Sequence, residues 1–408
     1  MVYPRQKLYD ISFKKFLFKI FSIDRGTNEP SFIKNFSNFI GCNEKSIITL
    51  SRGRMSIYLA IKSVITKEKN EVLMSPFTIF DIVNMVICAG GKPIFVDTSC
   101  PPHLTINDIK KNITKKTCMV LVTHYHTANK EIETISEFLK KKQIYLTEDC
   151  AISLGSKINN RHVGLFGDFA LFSFGIFKFI SSFFGGVLIV KDEKLKKQIY
   201  KEVRGWKKMS LFQLFPSFLK ASKFYFFTTN LVFRLITFRL FKFGYLRNLY
   251  FIKNLAINDP NPQLKEILDS DYKFNPSSFQ ISEWDRQLKN ILFDKEKRLQ
   301  NAKKYYNKLY INNNVKITKP DDNIDTYLNY PIQVKNKQKL IIYLMKHNID
   351  VSPYFYRVCS EEKIFKKYKT NCPMIINYEK SLIMLPNYPS LPEKYIDKIT
   401  NLINKYYK

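Results

Sequence analysis

The chain has 408 residues, and 66 Lys+Arg against 35 Asp+Glu leave a formal charge of +31, which favours anionic partners such as nucleic acid, acidic lipid or phosphorylated substrates. Its length and 45% apolar content suit one large α/β domain plus a smaller one. Seven scattered cysteines with no CxxC pair or metal spacing argue against a disulfide or zinc framework and fit a reduced, cytosolic compartment, and Lys14, Lys15, Lys19 and Asp24 break up the apolar N-terminal residues, against a signal peptide.

Residues 1–50 are mixed aromatic and basic and read as an arm that wraps the larger domain or a partner subunit. Ser51-Arg52-Gly53-Arg54-Met55-Ser56 leads into IYLAIKSVI, whose apolar residues recur at helical spacing. A glycine turn at a helix N-terminus suits a phosphate, although an ordinary loop entering a helix gives the same pattern. Glu71 to Ser75 predicts a strand, residues 79–89 a helix stopped by Gly90-Gly91, and residues 92–97 a strand with an acidic end. A helix over 105–113 and a strand from Cys118 to Thr123 continue the alternation, so a parallel sheet with helices on its faces is expected. Ligands gather at the carboxyl ends of such strands, where Thr78, Asp97, His124 and Asp149 would lie. His124 and His126 alternate in THYH without further His or Cys at a fixed spacing, so no metal is expected there.

The stretch from Thr147 to Val190 carries the chemistry. An acidic pair, Glu148-Asp149, follows an apolar run, and Lys178 precedes Gly185-Gly186 and another apolar strand. An aspartate at one strand exit and a lysine after the next fit a buried cofactor that needs both an anion and an amine. Pyridoxal phosphate (PLP) needs both: a carboxylate to keep its ring nitrogen protonated and a lysine to form the Schiff base.

EVLMSPFTIFDIVNMVICAGGKPIFVD, MVLVTHYHTANKEIETI, EDCAISLGS, GDFALFSF and the closing SLIMLPNYPSLPEKYIDKITNLI together resemble, in order and spacing, the DegT/StrS-type sugar aminotransferases, PLP enzymes of fold type I. The resemblance implies an α/β fold with a large, mostly parallel sheet flanked by helices and a smaller α+β C-terminal domain. It places Asp149 on the partner of the pyridine nitrogen and Lys178 on the Schiff-base lysine. Ser173 falls on a hydroxyl donor to the cofactor phosphate, Gly53, Arg54 and Met55 on the turn that cradles it, and Ile79 where an aromatic commonly stacks on the ring. Asn275 matches an asparagine that reaches the neighbouring subunit's phosphate, which implies a homodimer. The implied reaction is amino transfer, with glutamate as donor, to a nucleotide-linked keto-sugar in surface-glycan or glycolipid synthesis. Departures from the family pattern are Ile152 for glutamine, Leu154 for histidine, Phe177 for threonine and Pro276-Ser277 for a Tyr-Arg pair. They leave open a non-catalytic binding protein, or a PLP enzyme catalysing elimination; a branch that dehydrates uses histidine where Lys178 stands.

Four segments are expected: the arm (1–50), the large PLP-binding domain (51–202), an insertion (203–258) and the small C-terminal domain (259–408). The insertion carries ten Lys or Arg and no Asp or Glu, between clusters such as LFQLF and FYFF. Its apolar runs are too short to cross a membrane, and the pattern suggests an interfacial helix pair on an anionic membrane, placing the protein in the cytoplasm or on the inner membrane face. Packing of the insertion against the domain or a dimer partner is the plainer alternative. No nucleic-acid partner is expected, because no base-reading fold appears. Beyond it, residues 278–310 predict one long helix, residues 329–334 a strand and 336–347 a helix, with Tyr354 and Tyr356 as candidate pocket or packing residues.

Overall fold

The computed structural model describes residues 2–8, 13–20, 29–249, 261–352 and 356–408. Seven strands form one sheet in the order Ile47–Leu50, Gly186–Val190, Phe169–Ser173, Tyr145–Asp149, Thr117–Thr123, Glu71–Met74 and Lys92–Phe95. From Phe169–Ser173 to Lys92–Phe95 every pairing is parallel; Gly186–Val190 runs antiparallel to both its neighbours. Thr117–Thr123 is buried along its whole length, as a parallel strand covered on both faces requires. The covering helices include Phe80–Cys88, Ile106–Asn112 and Ile132–Lys141, the second opened by a capping box between Thr105 and Asp108.

Two hydrophobic cores follow. The first surrounds the large sheet and takes residues from well outside 51–202: Phe32, Phe36 and Ile40 of the helix Glu29–Ile40, and Ile281, Trp284 and Leu288 of the helix Ser278–Leu288. The segment expected as an arm also supplies the edge strand Ile47–Leu50. The second core lies on an antiparallel sheet of Val315–Lys316, Tyr330–Val334 and Leu382–Leu385, covered by Ile291–Lys308, Lys337–Lys346 and Glu393–Tyr406. The single helix expected over 278–310 is two helices, interrupted at the exposed Lys289 and Asn290. The break has a packing reason. It turns the apolar stripe from the first core, which holds Trp284 and Leu288, to the second, which holds Leu299, Ala302 and Tyr305.

The described part of the insertion forms a helix, Leu211–Phe227, and a second helical rod from Asn230 to Leu246 with a wider turn at Phe233–Thr237; residues 250–258 lie outside the described residues. Ser210 and Gln213 cap the first helix reciprocally. Among the described residues no helix is long and apolar enough to cross a membrane.

Gly185 joins the Lys178 loop to its strand with φ +134°, and a Cβ there would lie 2.0 Å from the buried Trp284 ring. Gly185→Ala is therefore expected to destabilise the fold by at least ~2 kcal/mol, read as a lowered urea midpoint with unchanged slope.

Candidate active site

Two adjacent parallel strands end at the same rim of the sheet. Asp149 is the last residue of one, and Lys178 lies in the loop that leaves the other after Ser173. Open α/β sheets bind ligands at such a rim. Asp149 is buried, and its Oδ1 accepts the Ala151 N–H at 3.0 Å. Burial raises its pKa against that bond and the positive charge of Lys178. Burial lowers the Lys178 amine to about 8, Arg54 pushes it the same way, and Asp149 opposes both. A lysine so placed is partly neutral near physiological pH and can act as a nucleophile. Phe177, directly before it, holds a left-handed backbone at φ +66°, with its N–H donated to Ser181 Oγ at 3.3 Å.

Beside this pair the turn 51–54 enters the helix Met55–Val64. A Cβ at Gly53 would come within 3.0 Å of Ser173 Cβ and Oγ, so only glycine lets the turn lie against that serine. Gly175 in turn lies between the Ser173 hydroxyl and the Lys178 stem. Arg54 pairs with Asp81, and Arg52 lies over the rings of Phe184 and Tyr272, at 4.7 and 5.1 Å. Burial and the neighbouring Arg54 both lower the Arg52 pKa. The buried Ser51 Oγ, Ser56 Oγ and Arg52 Nε find no hydrogen-bond partner among the described residues. Unsatisfied buried donors beside two adjacent guanidiniums and a helix N-terminus suit an anion, and a phosphate ester fits that setting.

The neighbour of Asp149 proves as telling. Glu148 is fully buried and accepts the backbone N–H groups of Gly164, Phe166 and Gly167 at 2.6–2.8 Å and His124 Nε2 at 2.9 Å. These bonds lower its pKa although burial acts the other way. His124 Nδ1 accepts the Asn129 N–H, so both its ring nitrogens are engaged. His124, Glu148 and Cys150 cluster closely enough to suggest a metal site, but protein hydrogen bonds already occupy the imidazole and both carboxylate oxygens. His126 is buried, with its pKa lowered to about 3 by burial and by the charges of Lys178 and Arg298.

The structure thus brings together Asp149, Lys178, Ser173, Gly53, Arg54 and Met55, with Ile79 one-third exposed at the cap of Phe80–Cys88. Asn275 is engaged elsewhere: its Nδ2 donates to the carbonyls of Val203 and Trp206, tying down the start of the insertion. Asp97 accepts the N–H groups of Met374 and Ile375 at 3.0 Å, capping the helix Pro373–Ser381. Tyr356 packs on Phe77 and Tyr125, and Tyr354 lies outside the described residues. Sequence reading missed Glu148 as an organiser, Asp81 as the Arg54 partner, and Gln280, whose Nε2 donates to the carbonyls of Ser51 and Phe184. The charged pair Glu148-Asp149 was the one available signal; Gln280 belongs to no motif.

The model of the DegT/DnrJ/EryC1/StrS aminotransferase family matches residues 17–213 and 258–404. The chain belongs to this family. The DegT/DnrJ/EryC1/StrS enzymes are PLP-dependent, and the fold is that of fold type I. A GDP-perosamine synthase of Escherichia coli O157:H7 is 31% identical over 172 residues, or 41% of this chain and 47% of that protein, so the match spans under half of that relative. Among solved structures, Helicobacter pylori PseC, an aminotransferase of pseudoaminic acid biosynthesis, superposes with a TM-score of 0.74 over 99% of both chains at 16% identity. An E. coli GDP-4-keto-6-deoxy-D-mannose-3-dehydratase with bound hydrated PLP gives 0.73 at 17% identity, over 99% of this chain and 100% of that one. The family match breaks off at 213 and resumes at 258, across the helix pair.

The depressed Lys178 pKa gives a pH prediction. The neutral amine is the form that attacks a carbonyl, and its fraction grows as pH rises through about 8. The rate of covalent attachment of PLP to the apoprotein, followed by stopped-flow absorbance, is expected to rise from pH 6.5 through 8 and level off about one unit above that pKa. A rate that climbs without levelling to pH 10 would mean an unshifted lysine.

Proposed function

We propose that this chain transfers an amino group from glutamate to the carbonyl of a nucleotide-linked keto-sugar, in the synthesis of a surface glycan or glycolipid. One observation carries the reading: a buried aspartate and an amine of lowered pKa share one sheet rim with a cationic, hydroxyl-lined cradle, in a chain of an aminotransferase family. The activities of GDP-perosamine synthase and PseC support a sugar as acceptor.

PLP, when bound, supplies an electron sink for the carbon that gains or loses nitrogen. Ser51, Arg52, Ser56 and Ser173 would hold its phosphate, and the Asp149 carboxylate its ring nitrogen. That contact would hold the aspartate in its charged form, since an adjacent cation lowers a carboxyl pKa. Lys178, its amine lowered toward neutrality by burial, would move a proton to and from the substrate carbon. Glu148 fixes the loop 164–167 and His124 around the strand end that carries Asp149. A homodimer belongs to the same reading, in which the Asn275 Nδ2 would have to leave the carbonyls of Val203 and Trp206 to donate to a partner's phosphate. So does a location on the cytoplasmic face of a membrane.

The rival reading, a binding protein of decayed activity, is favoured by the buried apolar Ile152 and Leu154 where the family carries polar groups. Absorption spectra of the protein with PLP separate the two. A visible band that Lys178→Ala abolishes, and that glutamate converts to the amine form of the cofactor, supports transamination. A band unresponsive to any amino acid points to elimination, and no band to the binding protein. Asp149→Asn is expected to keep the band and slow the glutamate half-reaction by at least ~10²-fold in single-turnover kinetics.

A further inference from the structure

The helix pair of the insertion presents two unlike faces. On the inner side Leu214, Phe218 and Ala221 are buried in a third core with Leu8, Phe16, Phe183, Met209 and Phe279. Phe218 stacks on Phe16 at 4.6 Å. Phe224 meets the Phe177 ring edge-on at 4.3 Å, and Phe177 is the left-handed residue directly before Lys178. The insertion thus packs on the loop that carries the amine.

The outer side is apolar and open. Phe212, Phe215, Leu219 and Phe226 recur at helical spacing along Leu211–Phe227 and are all exposed, Phe212 by 77%. Leu231, Leu235, Ile236, Leu240, Phe243 and Leu246 continue the exposed apolar surface on the second rod. Such a patch on a folded surface marks an interaction site. Around it stand eight exposed cations, among them Lys220, Lys223, Arg234, Arg239 and Arg247, and no acidic residue occurs from 203 to 258.

Charge decides between occupants. A second copy of this chain docking isologously would set this patch against itself, cation against cation with no carboxylate between. Nucleic acid would satisfy the charge and leave the phenylalanines and leucines without a use. An anionic phospholipid surface satisfies both: headgroups take the Lys and Arg, and the acyl boundary takes the Phe and Leu.

We propose that the helix pair Leu211–Leu246 docks flat by its outer face on an anionic bilayer and, through the Phe224–Phe177 contact on its inner face, couples the Lys178 loop to that docking. The active-site mouth then works at the membrane face, on sugars attached to or handed over from lipid. The coupling to Lys178 rests on the function proposed above; the docking itself does not.

The test is flotation of the full-length PLP-loaded protein with vesicles of phosphatidylcholine alone or with one-third phosphatidylglycerol. Binding is expected only to the anionic vesicles and is weakened by salt. Lys220→Gln with Lys223→Gln should reduce partition about thirtyfold, and Phe212→Ser with Phe226→Ser should abolish flotation while the cofactor band, a check on folding, persists. Equal binding to neutral vesicles, or equal flotation of these variants, would overturn the docking. The visible circular dichroism of the bound cofactor is expected to change on adding anionic vesicles, and the change to be lost in Phe224→Ala. An unchanged spectrum in the vesicle-bound wild type would overturn the coupling. A protein that floats but forms no cofactor band would leave the docking standing and refute the aminotransferase reading.

Discussion

A carboxylate removed from water needs a full set of donors, and Glu148 obtains them from three backbone N–H groups and one imidazole. Its position at a strand end makes that requirement architectural. The loop 164–167 must fold back over the sheet, His124 must point inward from the next strand, and the following residue, Asp149, comes to the rim facing the ligand side. Glu148 is saturated by protein, whereas Asp149 accepts one local N–H and stays raised by burial. Two adjacent carboxylates are thereby divided between structure and chemistry by their hydrogen bonds. The same division holds among the cations: Arg54 is matched by Asp81, while the Arg52 Nε finds no hydrogen-bond partner among the described residues.

Much of this was legible in the sequence because it depended on local pattern. Continuous apolar runs bounded by glycine and charge marked the parallel strands, and their order fixed the rim where Asp149 and Lys178 meet. The Gly53 turn was legible for the same reason: close approach demands glycine, and a helix follows. Asn275 was legible as a motif, yet the structure gives its amide to the carbonyls of Val203 and Trp206. Pairing with the sequence-distant residues 207–208 decided that, and no spacing rule carries it. Gln280 and Asp81 were invisible because their roles exist only through contacts with distant turns. The break at Lys289-Asn290 was missed because both halves keep helical periodicity; what changes is the core each half faces.

The insertion shows what composition gives without geometry. Basic residues among Phe and Leu, with no acid, suggested a pair of helices, and two helical rods stand there. Composition could not say that the same helices bury a second apolar face in the protein. Leu214, Phe218 and Phe224 occupy that face, against the loop residues Ile176 and Phe177 and the N-terminal Leu8 and Phe16. An ordinary surface helix needs only one apolar stripe. Leu211–Phe227 has two, and the inner one accounts for the phenylalanine at position 177. An aromatic there can reach Phe224, whereas the threonine of the family pattern could not fill that contact. The substitution beside the lysine and the insertion some thirty residues later are therefore two parts of one packing solution. The left-handed backbone at Phe177 is held jointly by that packing and by the loop's own hydrogen bonds, the turn closed by the Lys178 N–H on the Gly175 carbonyl at 3.2 Å and the 3.3 Å contact to Ser181.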